Sequence, residues 1–324
     1  MESTTVGAAR AAGPCGRMGA ALPAPVPAPE WSGRELIRAI ALCALTLERR
    51  RPVEPITNRA AVRVDIVYTL IHRLGLFQLL AFFALQPLWD TASAWARWHD
   101  LPTFQLDALV APAWPGVTDT AWFSFAVYLL VFDFLAYLLH RAQHRWAWWW
   151  SLHALHHSQR QMTTWSDDRN HLLDDAIQAT VTAGVARLIG VGPEQFVGLV
   201  AATQLLQSFS HANARVHFGA IGERLLVSPR FHREHHAAQP PVPGDAPTTP
   251  PSCNFAVLFP IWDVLLGTAR FEARYLPTGI RDQWPQHGGH DYGRGFWSQQ
   301  LLGLHRLARA LKPGRRQVRW ERHD

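Results

Sequence analysis

Eleven of the seventeen histidines fall between His140 and His236, under a third of the chain. They arrive in groups: His140 and His144 in HRAQH, His153, His156 and His157 in HALHH, and His232, His235 and His236 in HREHH, with His171, His211 and His217 between them. On a helix an HxxxH pair sits one turn apart, about 6 Å along the axis and on one face. In HxxHH, steps of three and four residues keep all three rings within an arc of roughly 100°. Neutral imidazole is the common side-chain ligand for redox-active transition metals. The three groups offer eight such ligands, more than one ion takes, and that arithmetic favours two metals. A lone histidine on an apolar helix is usually a packing or surface residue, and a single HxxxH says little. Two HxxHH triplets and an HxxxH in one ordered run are far harder to explain as packing.

These rings need helices to hold them, and hydropathy supplies the candidates. Ile66 to Trp89 has the length to cross a bilayer core, which takes about 20 residues. His72 and Arg73 lie near its start and move the inserted part later; Trp89 is placed as an interfacial anchor. A second span, Trp122 to Leu139, leads straight into His140. Its one charge, Asp133, lies seven residues before His140, two turns back on the same face. An ionisable residue inside a span is expensive and usually functional; the alternative is a packing charge satisfied by backbone or arginine. Residues 176–190 and 194–208 form a further apolar pair, broken at Gly190, Gly192 and Pro193. At fifteen residues each they are short for a crossing, so the pattern predicts a re-entrant hairpin, with tilted spans as the alternative.

Arginine placement sets the expected topology. Arg49, Arg50, Arg51, Arg59 and Arg63 precede the first span, Arg97 stands alone between residues 90 and 120, and Arg141 and Arg145 follow the second span. The positive-inside rule then puts the N-terminus and the histidines in the cytoplasm, with Arg145, Trp146, Trp148, Trp149 and Trp150 at headgroup level. Composition agrees: 48% hydrophobic residues and fifteen Trp, yet a mean hydropathy of −0.06, suit a few spans with a substantial water-facing part. The net charge of +6 is almost all arginine, with Lys312 the only lysine. No basic block alternates with aromatics as in a nucleic-acid module, so the charge reads as membrane-facing and no nucleic-acid partner is expected. Cys15, Cys43 and Cys253 are scattered without a CxxC, which argues against a zinc ribbon or a disulfide framework and fits a reduced, cytoplasm-facing site.

The expected organisation has four parts. Residues 1–33, rich in Ala, Pro and Gly and lacking an apolar core for a signal peptide, read as a disordered tail. Residues 34–118 hold a short helix begun by Ser32 and Glu35, soluble or interfacial, then the first span and its loop. Residues 119–275 form the histidine domain, which includes the Pro-rich loop from Gln239 to Ser252. Residues 276–324 are a tail with an amphipathic helix from about Phe296 to Leu311.

Residues 120–275 resemble the sterol desaturase / fatty acid hydroxylase superfamily of integral-membrane di-iron oxygenases. The resemblance rests on Asp133 with LLHRAQH, LHALHHS, RNH at 169–171, the HAN of His211 to Asn213, SPRFHREHH at 228–236, and NFAVLFPIWDVLLGT from Asn254. It implies an all-α fold: an integral-membrane helical domain with a cytoplasmic, histidine-rich di-metal cap. By position it implies His140, His144, His153, His156, His157, His232, His235 and His236 as metal ligands, with His211 as a further one. Asp133 and Asn213, inside the matched segments, are candidate catalytic residues. His217 stands where the family often has an apolar residue, and Leu172 replaces the proline that tends to follow the histidine matched by His171. Asp133, Asp174 or Asp175 are candidates to accept the second ring N–H of a ligating histidine.

The activity implied is hydroxylation or desaturation of a lipid C–H bond, sterol-like or fatty-acyl, with two non-haem Fe ions, O2, and electrons from a separate reductase. The three-residue spacing of HxxxH leans to the sterol-desaturase side without naming a substrate. Breaking an unactivated C–H bond needs a redox metal and O2, which side chains alone do not supply; nitrogen ligands also bind zinc tightly. No GxGxxG follows a strand pattern and no electron-carrier module is visible, so the donor is expected to be another protein. The expected location is a bacterial inner membrane. Two other classes remain open: a histidine-rich metal transporter or store, which would need ionisable residues through its spans, and a bis-histidine haem protein, which would need pairs on facing helices.

Overall fold

The computed structural model describes residues 33–101, 104–238 and 253–312, and the side chains from residue 42 onward. The expected N-terminal tail and the Pro-rich loop lie outside the described residues. Among the described residues the protein is helical, and its one β feature is a single bridge between Ala237 and Thr278. Twelve α-helices follow in order: α1 (Gly33–Arg50), α2 (Arg59–Arg73), α3 (Leu76–Trp98), α4 (Leu106–Val110), α5 (Ala121–Arg145), α6 (Ala147–His157), α7 (Leu172–Leu188), α8 (Pro193–Ser210), α9 (Gly219–Leu225), α10 (Pro229–His235), α11 (Ile261–Leu265) and α12 (Phe296–Ala310).

Helix α5 is the spine. Thr120 caps it by accepting the Phe123 amide at 3.4 Å, and an apolar run carries it through 25 residues to Arg145. Among the described residues it is the one helix long and apolar enough to cross a membrane; α2 and α3, bent by 47° at their break, make a second only if counted as one broken span. A single extended residue, Trp146 (φ −103°, ψ 120°), ends α5, and α6 starts at once. This elbow folds HALHH back beside HRAQH. Helix α6 is buried along most of its length, and α12 lies against it, with the Arg306 guanidinium donating to the Ser151 carbonyl at 3.0 Å.

The expected first span is not one continuous helix. Ile66 to Trp89 is interrupted after Leu74, where Gly75 takes φ +77°, a conformation that costs little without a Cβ. The polar residues explain the break. Asp65, Tyr68 and His72 are buried on the face of α2 that meets the protein, and Arg73 pairs with Asp167 and Asp168, each at 3.0 Å. Helix α3 then carries the exposed apolar surface, including Leu79, Leu80 and Phe83, with no buried residue of its own. Trp89 meets α7 under the Arg187 guanidinium, 5.1 Å from the ring centre. The apolar pair downstream becomes α7 and α8, joined through Gly190 at φ +78°; neither is long and apolar enough to cross a membrane unaided.

Helix α2 is locked to the histidine region by a buried charge pair. Asp65, fully buried, accepts from the Arg169 guanidinium at 2.5 Å and from the Gln159 side-chain amide. Removing one member of such a pair leaves an uncompensated buried charge. Arg169→Met should therefore cost about 3–5 kcal/mol of stability, read as a lower denaturation midpoint in detergent, and adding Asp65→Asn to that variant should restore part of the loss.

Candidate metal centre

The elbow and the two triplets bring nine histidines into two adjoining buried groups. His140, His144, His153, His157 and His235 form one; His156, His211, His232 and His236 form the other, each group offering ring nitrogens within 4.8 Å of one another. Helical spacing pairs histidines within each group, and the crossing of α6 and α10 sets which group each pair joins. His140 with His144, and His153 with His157, are i,i+4 pairs that feed the first group. His232 with His236 is the i,i+4 pair of the second, and each triplet sends its odd member across: His156 from α6 to the second, His235 from α10 to the first. His211, the residue that ends α8, completes the second group.

The outer nitrogens of several rings are held by fixed acceptors. His140 Nδ1 lies 2.8 Å from the Phe255 carbonyl and His235 Nδ1 lies 2.7 Å from the Cys253 carbonyl. His211 Nδ1 lies 2.9 Å from the Gln207 carbonyl, with Asp167 at 3.4 Å. His153 Nδ1 meets the Asp174 carboxylate at 3.2 Å. A carbonyl or carboxylate oxygen accepts only, so these Nδ1 atoms carry the proton and the neutral rings turn an Nε2 lone pair inward. Asp174 is itself fully buried and is steadied by the Gln143 amide at 2.8 Å and the Trp149 indole at 2.6 Å.

Inward, the Nε2 atoms crowd. His157 and His235 approach to 3.2 Å, His156 and His211 to 3.2 Å, His211 and His232 to 3.0 Å, and His232 and His236 to 3.1 Å. The Nε2 atoms of His140 and His153 are buried without a hydrogen-bonding partner among the described residues. Nitrogen atoms bound to one transition metal at about 2.1 Å lie about 3.0 Å apart at right angles and about 3.4 Å apart in a tetrahedron. The donor set and its spacing therefore fit two metal ions with imidazole ligands, one per group. Several of the rings are also kept neutral, as ligands must be. Burial first, then repulsion from neighbouring histidines, holds His156, His157, His232 and His236 well below the usual histidine range. Burial pushes His235 down to about 3.

Other candidates go elsewhere. Asp133 accepts the Leu258 amide at 2.8 Å, the Phe259 amide at 3.1 Å and the Trp262 indole at 2.7 Å, and so anchors residues 258–262. Two turns of helix separate it from His140 by about 10 Å, too far for a carboxylate to reach that ring. Asn213 accepts the amides of Val53 and Glu54, at 3.2 and 3.3 Å, and donates to the Glu54 carbonyl at 2.8 Å, tying down the chain after α1. Asp175 meets His72 at 3.0 Å. His171 accepts the Leu173 amide at 3.1 Å and donates to the Gln300 carbonyl at 2.9 Å; a Cβ on Gly303 would come within 2.3 Å of its ring, so α12 can pass only with glycine there. His217 is exposed. The supporting roles of Gln143, Gln207 and Asp167 were not anticipated from sequence, although Asp167 and Gln143 lie within or beside matched segments. A cavity of about 700 Å3 lined by Asp107, Ser124 and Gln195 opens at the other end of α5. Ser124 is sixteen residues, about 24 Å, from His140, so this cavity is not part of the histidine centre.

The two buried, adjoining imidazole sets of this helical protein are each a group that could hold a metal ion. Residues 125–268 match the family model described as fatty acid hydroxylase. An ornithine lipid hydroxylase, OlsE, of Rhizobium tropici is 28% identical over 167 residues, 52% of this chain and 47% of that protein. An alkylglycerol monooxygenase of Caenorhabditis elegans is 28% identical over 158 residues, 48% of this chain and 28% of that protein. The matched region thus spans less than half the length of either relative. No solved structure matches the chain. The family model and both relatives support a place for residues 125–268 in the fatty acid hydroxylase/sterol desaturase superfamily.

Two outcomes follow from this geometry. A histidine whose folded pKa lies below its unfolded value near 6.5 binds more protons when unfolded. Its contribution is present above pH 6.5 and is lost as pH falls toward the folded pKa, about 3 for His235. Thermal melts of the metal-free protein should drop steadily as pH is lowered from 6.5. Asp174→Asn removes the charge that orients His153 and should weaken metal binding about 10–100-fold, measured by chelator competition, with His217→Ala unchanged.

Proposed function

We propose that this protein is a membrane di-iron oxygenase that hydroxylates or desaturates a lipid C–H bond. The observation that carries the reading is the pair of buried imidazole groups in a chain whose residues 125–268 match this superfamily, two members of which are a lipid hydroxylase and a monooxygenase by name. His140, His144, His153, His157 and His235 would hold one iron, and His156, His211, His232 and His236 the other. Bound iron would supply the O2-activating redox chemistry that an unactivated C–H bond requires. The protein's own part is to aim four of these rings, His140, His235, His211 and His153, through the acceptors at Phe255, Cys253, Gln207 and Asp174, and to exclude bulk water from a centre whose histidines are all buried.

Hydroxylation consumes O2, two electrons and two protons, and yields the alcohol and water. The electrons come, in this reading, from a separate reductase, since the sequence carries no electron-carrier module. Helix α5, with α2–α3 as a second broken span, would seat the protein in a bacterial inner membrane. The arginine asymmetry supports a cytoplasmic metal site, reached by electron donors from that side and by lipid from the bilayer. Asp133 and Asn213, first considered for catalysis, serve this reading as positioning residues for the segments they anchor.

Elemental analysis of anaerobically prepared protein should find two metal ions per chain, and lipid extracts from cells with and without the gene should differ by an oxidised or desaturated species in mass spectrometry. His235→Ala should abolish that product and lower bound metal, while His99→Ala, on an exposed residue outside both groups, should change neither. Full metal and turnover in His235→Ala would overturn the assignment.

A further inference from the structure

The segment from Asn254 to Ala269 is irregular apart from the one short helix α11, yet it is docked on the side of the apolar helix α5. Asp133, which grips it, lies twelve residues before Arg145, about 18 Å down the helix axis. The Phe134 ring packs on Trp262 at 4.8 Å. If α5 spans the bilayer, the segment sits at the depth of lipid tails, where irregular backbone is tolerated only if the protein satisfies its polar groups.

Two buried carboxylates do this. Asp133 takes the amides of Leu258 and Phe259. Asp263, with no exposed surface, takes the amides of Phe255 and Ala256, both at 2.8 Å, and the Thr268 hydroxyl at 2.6 Å. The Thr268 and Ala269 amides close onto the Asp263 carbonyl at 2.8 and 3.1 Å, and the Asn254 amide onto the Thr268 carbonyl at 3.0 Å. What remains outward between residues 253 and 267 is apolar: Ile261, Val264, Leu265 and Leu266, with Gly267. These side chains continue the exposed stripe of Leu130, Phe134 and Leu138 on α5.

We infer that residues 254–269 form a re-entrant element whose outer face, Ile261, Val264, Leu265 and Leu266, is covered by lipid acyl chains of the leaflet nearest the metal centre. The inference rests on the membrane reading of α5 given above. It has a structural consequence: the same segment supplies the Phe255 carbonyl to His140, and Cys253, immediately before it, supplies its carbonyl to His235. Bilayer insertion and the orientation of two histidines in the first group are thus coupled through one stretch of chain.

The test is site-directed fluorescence in liposomes of phosphatidylcholine and phosphatidylglycerol. Leu265→Cys, with Val264→Cys as a second position should the first fail to fold, is labelled with bimane in a Cys15→Ser/Cys43→Ser background, where Cys253 stays buried. Leu130→Cys on α5 serves as the span control. A nitroxide carried on the lipid acyl chain should remove most of the emission at residues 265 and 130, and aqueous iodide should remove little from either. Lipid quenching at residue 130 with iodide quenching at 265 would overturn the re-entrant element and leave the span intact. Lipid quenching at 130 with neither quencher acting at 265, and energy transfer between two labelled copies, would assign the face to a second copy of this chain instead. Iodide quenching at both would sink the membrane reading and this inference together.

Discussion

Nine buried imidazoles crowd their Nε2 atoms together at the centre of this protein, and its interior is arranged around that crowding. Four Nε2 approaches fall between 3.0 and 3.2 Å in a region that burial keeps free of protons. Four of the nine rings, His140, His153, His211 and His235, are pinned from behind. The pins are three backbone carbonyls and one carboxylate, drawn from residues 253–255, α8 and α7. A mobile ring would rotate to find a better partner; a ring with its Nδ1–H fixed keeps its lone pair inward. The cost of crowding the site is met by contacts made well away from it, which makes those outer acceptors as much a part of the centre as the rings.

Buried carboxylates are the recurring device. Asp174 orients a ring; Asp65 joins α2 to the loop after α6; Asp133 and Asp263 hold a length of non-helical backbone; Asp167 joins α8 to Arg73 through Ser208. Each accepts two or more donors, so little bare charge is buried, and all but Asp263 connect segments distant in sequence. A long apolar helix such as α5 can pack by shape alone, but irregular segments beside it cannot. Charge-assisted hydrogen bonds give those segments one position, and the histidines they carry inherit it.

The elbow at Trp146 links these two themes. With one extended residue between α5 and α6, the HxxxH pair at the end of one helix and the HxxHH triplet near the end of the next must face each other across a few ångströms. No long loop intervenes whose entropy or mobility could blur the geometry. Helix α12 also packs on α6, so α6 is held by both α5 and α12.

Much of the centre was legible in the order of residues. That eight of the nine histidines are spaced as ligands, enough for two ions, follows from i,i+3 and i,i+4 spacing, because helical periodicity is a local property; His211 was implied only by the resemblance. The apolar run of α5, its extent and its junction with His140 were legible for the same reason. The partition of each triplet between two groups was not, since it depends on how α6 and α10 cross. Nor was the break at Gly75, where a run apolar enough to read as one span is split because Asp65, His72 and Arg73 find partners some hundred residues later. Asp133 looked like a companion to the ligands two turns on and proved to be the anchor of residues 258–262. The carbonyls of Cys253, Phe255 and Gln207 had no signal at all, because every residue type carries the same acceptor. Periodicity writes the helices and their ligand faces into the chain; long-range pairing, especially through backbone groups with no side-chain identity, exists only once the helices have packed.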